Sequence, residues 1–200
     1  HSSSYEIIVA DNGSNDGSIQ IAEENGAKVI NVETRGYGAA LKAGILNAKG
    51  RFVVMGDADS TYDFNDSVEM INKLRTNNYS LVMGNRFGRI EKNAMPFLHR
   101  YLGNPVLTAI GNTLFQANIS DFCCGIRAFL REDIMNLNLK SNGMEYASEM
   151  VLRSSLAGYP ITEVPAKLRN DHPERNPHLR TWRDGWRMVK FMFTFSVFRF

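Results

Sequence analysis

Residues 51–59 read RFVVMGDAD, a short apolar run that stops at a glycine and two aspartates, Asp57 and Asp59, on either side of Ala58. A brief apolar run closed by a turn signal reads as a buried strand, so both carboxylates stand at its carboxyl end. The same figure recurs along the first half of the chain. Residues 5–11 (YEIIVAD) run into the turn cluster Asn12-Gly13-Ser14-Asn15-Asp16-Gly17, residues 27–32 form another apolar run, and residues 79–84 (YSLVMG) end at Asn85-Arg86. Helix-like stretches at 18–25, 39–48 and 65–76 separate them; Ser18 suits a helix cap and Gly26 the left-handed turn after a helix. Strand and helix alternating at this pace predict crossover units and a mostly parallel α/β sheet flanked by helices, with ligands bound beyond the carboxyl ends of the strands. Asp11, Asp57, Asp59 and Arg86 all fall at such ends.

The second half changes character. Residues 95–116 form a long helical stretch interrupted near Asn104-Pro105, 125–130 a strand, 144–157 a helix and 161–168 a strand. Residues 170–178 are polar, contain two prolines and carry no periodicity, which reads as a mobile loop. The resulting organisation is a core over 5–168, a loop at 169–180 and an amphipathic helix over 181–200. In that helix Trp182, Trp186, Val189 and Phe193 form one apolar stripe, with Arg183, Arg187 and Lys190 beside it. Such a helix suits a membrane interface, and equally a helix docked on the core.

The bulk properties are those of one ordinary domain: 200 residues, 44% hydrophobic, 22% charged, with 16 Gly and 6 Pro, which exclude collagen, a coiled coil and wholesale disorder. A net charge of +2 gives no reason to invoke nucleic acid. That charge is uneven, however. Residues 166–200 hold eight Lys/Arg against three Asp/Glu, which points the tail toward phosphates or an anionic membrane surface. Cys123 and Cys124 are adjacent, so they make neither a disulfide framework nor a zinc spacing, and a reducing compartment follows. No apolar run reaches the roughly eighteen residues a bilayer span needs.

Hard oxygen ligands such as Asp57 and Asp59 suit Mg²⁺ or Mn²⁺, ions that keep waters and take further ligands from substrate phosphates. Alone, the same pair is also an ordinary acidic turn. Asp11-Asn12-Gly13 could meet the polar edge of a nucleobase, or simply brace a turn. Arg35-Gly36-Tyr37-Gly38 lacks the third glycine of a dinucleotide fingerprint, because that position is Leu41. A glycine turn entering a helix can still cradle a phosphate, and it can merely permit a tight turn. Arg86 and Arg100 are candidates for gripping an anion, since arginine pairs bidentately with phosphate.

Taken together, VADNGSNDGS (9–18), RGYGAALKAGI (35–45), VMGDADSTYD (54–63), VMGNRF (82–87), MPFLHRYLGN (95–104), SDFCCGIRAF (120–129), GMEYASEM (143–150) and HLRTWRDGWR (178–187) resemble glycosyltransferase family 2, in its dolichyl- and polyprenyl-phosphate mannosyl- and glucosyltransferase branch. The resemblance implies a GT-A fold and inverting transfer of a sugar from a nucleotide-diphosphate sugar, UDP-glucose or GDP-mannose in type, to a polyprenyl phosphate. It further implies that Asp11, with Asn12 and Gly13, lies at the nucleobase. Arg35, Gly36, Gly38 and Ala58 would line the donor site, while Asp57 and Asp59 would hold the metal and diphosphate. Arg86 and Arg100 would take the lipid phosphate, with Asp121 on the acceptor side. Glu145 and Glu149 would lie on a sugar-facing helix, and His178 and Arg180 would close over the diphosphate. The place implied is the cytoplasmic face of a membrane, with an anchor past Phe200; a homo-oligomer is compatible with the sequence.

The chain departs from the family pattern in two ways. The family opens with an earlier strand ending in a P-x-x-N-E-type turn, whereas this chain opens at what would be the second strand, so weak activity or none is expected of it. Thr61 stands where Gln or Asp often follows the aspartate pair. Two other readings stay open: an inactive nucleotide-sugar binding or assembly module, and a glycosyltransferase acting on a saccharide hydroxyl. The Q-x-x-R-W signature of processive enzymes is not matched by LRTWRDGW.

Overall fold

The computed structural model describes residues 4–91, 94, 95, 97–170 and 181–198, with positions 99, 181–184, 197 and 198 described by backbone alone. Among the described residues there are six strands and seven α-helices. The first half runs β1 (Ile8–Asp11), α1 (Ser18–Glu24), β2 (Lys28–Asn31), α2 (Tyr37–Asn47), β3 (Phe52–Met55), a 3₁₀ turn at Phe64–Asp66, α3 (Ser67–Thr76) and β4 (Leu81–Asn85). After a π-helical turn at His99–Gly103 come α4 (Asn104–Phe115), β5 (Arg127–Leu130), α5 (Arg131–Asn136), α6 (Glu145–Leu156), β6 (Ile161–Pro165) and α7 (Thr181–Phe198).

The first four strands stand where the apolar runs placed them, shorter by a few residues. Gly26 takes the left-handed conformation expected of it, at φ +80°. Ser18 is the first residue of α1 rather than its cap; Gly17 holds that place, and Asp16 accepts from the Ser18 N–H at 3.1 Å. Pro105 sits in the first turn of α4, directly after the π-helical turn. Proline has no N–H to give to a preceding carbonyl, which accounts for the break there.

The sheet is mixed rather than mostly parallel. β1 pairs with β2 in parallel, and β3-β5-β4-β6 form a four-stranded sheet in which β4 and β6 are parallel while β5 runs antiparallel to both β3 and β4. The reversal has a local cause. The chain leaves β4 at Asn85-Arg86 and comes back to the same end, where Arg86 holds Asp121, so the next strand has to run the other way.

Alternation along β4 divides the core between the two faces of the sheet. Leu81 and Met83 join Phe122, Phe129, Met150, Leu152, Met192 and Phe195 on one face, beneath α4, α6 and α7. Val82 joins Met70, Leu74, Ile126 and Val164 on the other, beneath α3. The β1-β2 pair is tied in through α2, which packs on β1 and reaches α5 and α6.

α7 is docked on the core, though not by the stripe that the sequence singles out. Met192 and Phe195 are buried, Met188 and Phe191 pack beside them, and the Arg153 guanidinium lies over the Phe195 ring at 5.0 Å. Trp186 and Phe193 face outward at 71% and 51% exposure. Among the described residues no helix is long and apolar enough to cross a membrane.

Candidate functional site

The site is assembled at the carboxyl ends of β1, β3 and β4. Asp11 closes β1 and turns its carboxylate back on the following loop, accepting from Gly13 N at 2.8 Å and Ser14 N at 3.1 Å. Hydrogen bonds from the Ser14 side chain and the Gly13 N–H hold its carboxyl below the ordinary 3.8. Asn12 links this loop to the one after β2: its amide donates to Val32 O (2.8 Å) and Thr34 O (2.9 Å), and its carbonyl accepts from Gly36 N (2.7 Å). Arg35 donates to the Asn12 carbonyl.

Gly36 and Gly38 have a reason beyond a tight turn. Gly36 has φ +137°, and a side chain there would land on the Asn142 carbonyl. A side chain on Gly38 would meet Ser141 O at 2.8 Å and Gly143 O at 2.9 Å. Ala39, in the first turn of α2, donates its N–H to Asn142 O at 3.1 Å. One N–H of the helix N-terminus that could have held a phosphate is thus spent on the segment 141–143.

That segment is positioned by Glu149. Its carboxylate accepts from Lys140 N (3.0 Å), Ser141 N (2.8 Å) and Arg153 Nε (2.7 Å). Burial pushes the Glu149 carboxyl up, but the N–H groups of Ser141 and Lys140 and the Arg153 guanidinium outweigh it and bring it below the ordinary 4.5. Expected to face a sugar, Glu149 instead holds up a wall of the site. Glu145 differs: one oxygen pairs with Arg187 of α7 at 2.8 Å, while the other is buried with no hydrogen-bond partner among the described residues. An orphaned buried oxygen is uncommon and calls for an explanation, of which an incoming hydroxyl is one.

Asp57 and Asp59 follow β3. Tyr37, from the glycine turn, is hydrogen-bonded to Asp57, and burial and that carboxylate together push its phenol well above its ordinary range. Asp59 accepts from the Thr61 N–H at 3.0 Å and the Thr61 hydroxyl at 2.5 Å. Between them Ser60 sits at φ +66°, an unusual place for a residue with a side chain and the kind of local strain that gathers at working sites. Both aspartates are hard oxygen donors, which suits Mg²⁺ or Mn²⁺. Among the described residues no group of three or more His, Cys, Asp or Glu could hold an ion.

Arg86, at the end of β4, is buried rather than open to solvent. It grips Asp121 through Nε (2.7 Å) and Nη2 (2.8 Å), and its own N–H donates to the same carboxylate at 3.0 Å. Burial works against the charge on Arg86, but Asp121 outweighs it and raises its pKa. Asp121 N and Ser120 N donate in turn to Glu163 of β6 at 2.9 and 2.8 Å. Arg100 lies in the π-helical turn, over the Tyr101 ring at 5.4 Å. His178 and Arg180 lie outside the described residues.

Contacts therefore join Asp11-Asn12 through Gly36 and Tyr37 to Asp57. A side chain on Gly125 would lie 2.9 Å from Asp57 Oδ2, the Gly125 N–H donates to the Tyr62 hydroxyl at 2.9 Å, and the preceding Cys124 N–H donates to Asp121 O at 3.4 Å. Four participants escaped the sequence reading: Tyr37, Tyr62, Gly125 and Asn142. Tyr37, Tyr62 and Gly125 lie inside the segments that carry the family resemblance, but nothing in the pattern marks a phenol for a carboxylate. Arg127 is a fifth. It is wholly buried, donating to the carbonyls of Cys124 (3.0 Å), Phe122 (3.2 Å) and Ala147, and burial lowers its pKa. Burial disfavours the thiolate of the neighbouring cysteines, pushing Cys123 up to about 11 and Cys124 to about 12.

Known proteins share this chain's sequence pattern and fold. The profile of glycosyl transferase family 2 matches residues 1–137. A low-salt glycan biosynthesis hexosyltransferase, Agl6 of Haloferax volcanii, is 39% identical over 189 residues, covering 94% of this chain and 45% of its own. A dolichyl-phosphate hexose transferase of the same organism is 34% identical over 166 residues, covering 82% of this chain and 70% of its own. The chain thus spans about half the length of Agl6. Among solved structures, glucosyl-3-phosphoglycerate synthase of Mycobacterium tuberculosis, in complex with Mn²⁺, UDP and phosphoglyceric acid, superposes with a TM-score of 0.72 at 20% identity, over 96% of this chain and 67% of that one. By its sequence and its GT-A fold, the chain belongs to glycosyl transferase family 2.

Proposed function

We propose that the protein transfers a hexose, with inversion, from a nucleotide-diphosphate sugar to a polyprenyl phosphate at a membrane surface. The observation that carries this reading is an exposed apolar belt over residues 97–106, leading into α4, whose Thr108 hydroxyl accepts from the Phe122 N–H next to Asp121 at 3.2 Å. Phe97, Leu98, Tyr101, Leu102 and Val106 all face solvent, Phe97 at 77%. They repeat at near-helical spacing through the π-helical turn into α4. Residues 97–115 contain no acid, and Arg100 stands among them. Trp186 and Phe193 of α7, the helix packed on α4, add to the apolar surface. Scattered apolar side chains are normal on a surface, whereas a concentrated belt with cations beside it suits a lipid interface. The dolichyl-phosphate relative lends the acceptor class, and the solved relative with Mn²⁺ and UDP lends the donor and metal class.

The chemistry suits such an acceptor. A sugar hydroxyl needs a general base, but a phosphate monoester with a second pKa of about 6 arrives as a nucleophile largely dianionic at neutral pH. The remaining work is to hold two anions in line. A divalent ion bound by Asp57 and Asp59 would neutralise charge on the departing nucleoside diphosphate. Arg86, its guanidinium plane fixed by Asp121, would offer the acceptor phosphate directed N–H bonds, and Arg100 would meet it from the belt side. Asp11, Asn12 and the Gly36–Gly38 turn would border the nucleotide, and the orphaned oxygen of Glu145 would accept from a sugar hydroxyl.

The test is transfer of radiolabelled sugar from a panel of UDP- and GDP-sugars into an organic-extractable, acid-labile lipid. Label appearing there with polyprenyl phosphate, and lost with EDTA, supports the reading. Label appearing only in water-soluble saccharide would sink it.

A further inference from the structure

We propose that Tyr62 is a positioning residue that fixes the spacing between the aspartate end of the site and its Arg86 end. The inference deepens the proposed function and rests on it for its kinetic part.

Three connections meet at this side chain. Its backbone belongs to the turn that carries Asp59 and is anchored from behind: Tyr62 forms an antiparallel bridge with Leu168, and Arg169 N donates to Thr61 O at 2.8 Å. Its hydroxyl crosses to the opposite loop and accepts the N–H of Gly125 at 2.9 Å, in a buried setting. Gly125 is in turn pressed against Asp57, since a side chain there would lie 2.9 Å from Asp57 Oδ2 and 3.2 Å from the Tyr62 hydroxyl. Gly125 therefore has the phenol on one side and the carboxylate on the other, with no room to spare.

From Gly125 the link runs back through the turn closed by Cys124 N and Asp121 O (3.4 Å) to the carboxylate that grips Arg86. One hydrogen bond thus clasps the loop holding the guanidinium to the turn holding the metal-side carboxylates. A core tyrosine kept for packing alone would need neither the buried hydroxyl nor a neighbour restricted to glycine. Removing only the hydroxyl releases the clasp and keeps the ring. Because reacting groups about 1 Å out of place can cost on the order of a hundredfold in rate, the effect belongs in turnover more than in binding.

The experiment compares Tyr62→Phe with the wild type and with Gly125→Ala, which strains the same contact and also crowds Asp57. Expected for Tyr62→Phe are a fall in kcat of roughly ten- to a hundredfold, a donor KM and a Mn²⁺ affinity by electron paramagnetic titration within about threefold, and a displaced ¹⁵Nε resonance of Arg86. Gly125→Ala should lower kcat similarly, and the double variant should lose little more than either alone. A kcat within about twofold of wild type, or an unmoved Arg86 resonance beside a lowered melting temperature, overturns the proposal and leaves Tyr62 a packing residue. A wild-type protein that transfers no sugar to lipid overturns the proposed function instead; the Arg86 resonance then decides the clasp by itself.

Discussion

Asp121→Asn changes one atom and should be among the most damaging substitutions in the protein. Asp121 is wholly buried and its two oxygens serve three donors: Arg86 Nε at 2.7 Å, Arg86 Nη2 at 2.8 Å and the Arg86 backbone N–H at 3.0 Å. An asparagine offers one oxygen. Its NH₂ must face either Arg86 Nη2 or both Arg86 Nε and the Arg86 backbone N–H, donor against donor. Arg86 keeps its charge at every accessible pH, so the substitution leaves a buried cation without its counterion. Breaking a buried pair in this way costs about 3–5 kcal/mol. At roughly 2–4 °C per kcal/mol for a domain of this size, the melting temperature should fall by about 6–20 °C, read by circular dichroism at neutral pH.

The companion variant separates stability from function. Arg86→Met with Asp121→Leu replaces the pair by apolar side chains of similar length and should recover most of the lost stability, since buried pairs replaced whole are often near neutral. The recovered protein should still fail to use polyprenyl phosphate. An Asp121→Asn protein melting within about 3 °C of wild type would refute the premise that the pair is dry and tightly coupled. A double variant that is stable and active would remove Arg86 from the acceptor site.

Other outcomes follow from the same geometry. Asp59→Ala should weaken Mn²⁺ binding at least tenfold in an electron paramagnetic titration and abolish transfer; intact binding would place the metal elsewhere. Glu149 is held below 4.5, so it stabilises the segment 140–143 above that pH and ceases to as the pH falls through its lower folded value. Hydrogen exchange at the Lys140 and Ser141 amides should therefore lose protection below about pH 4.5, and Glu149→Gln should lack that acid dependence. Phe97→Glu with Leu102→Glu should abolish sedimentation with phosphatidylglycerol vesicles, while Val68→Glu, on the exposed face of α3, should not; equal loss in both would show that the belt is not the contact.

The strand ends were legible because apolar runs closed by glycine or asparagine announce them locally. β5 was legible as a strand but not in its direction, since its reversal depends on Arg86 meeting Asp121 across 35 positions, which no local pattern encodes. The six-residue α5 is too short to show periodicity. α7 offered two apolar stripes, 182-186-189-193 and 188-191-192-195, and only the packing of α4 and α6 decides which one turns inward. Residue types at the site were readable, but their partners were not. Asp11 braces its own turn, Glu149 holds up a wall and Arg86 is paired, each an arrangement fixed by contacts far apart in sequence or by backbone N–H groups that side-chain patterns do not reveal.

The pairing of Arg86 changes what the residue can contribute. An unpaired surface guanidinium attracts any anion, largely through charge that salt would screen. Held on Asp121 through Nε and Nη2, Arg86 has most of its charge answered nearby, and its planar fork is fixed before any ligand arrives. What it can then offer is direction rather than field. A nucleoside diphosphate and a phosphate monoester are both anions, so charge alone would draw either one to either end of the site. Under the proposed function, a neutralised, oriented fork at one end and a divalent ion at the other would give the two anions different requirements: geometry for the acceptor, charge for the donor. Rising ionic strength should therefore raise the donor KM more steeply than the acceptor KM when both are measured in detergent micelles. The opposite order would mean that Arg86 acts through its charge despite Asp121.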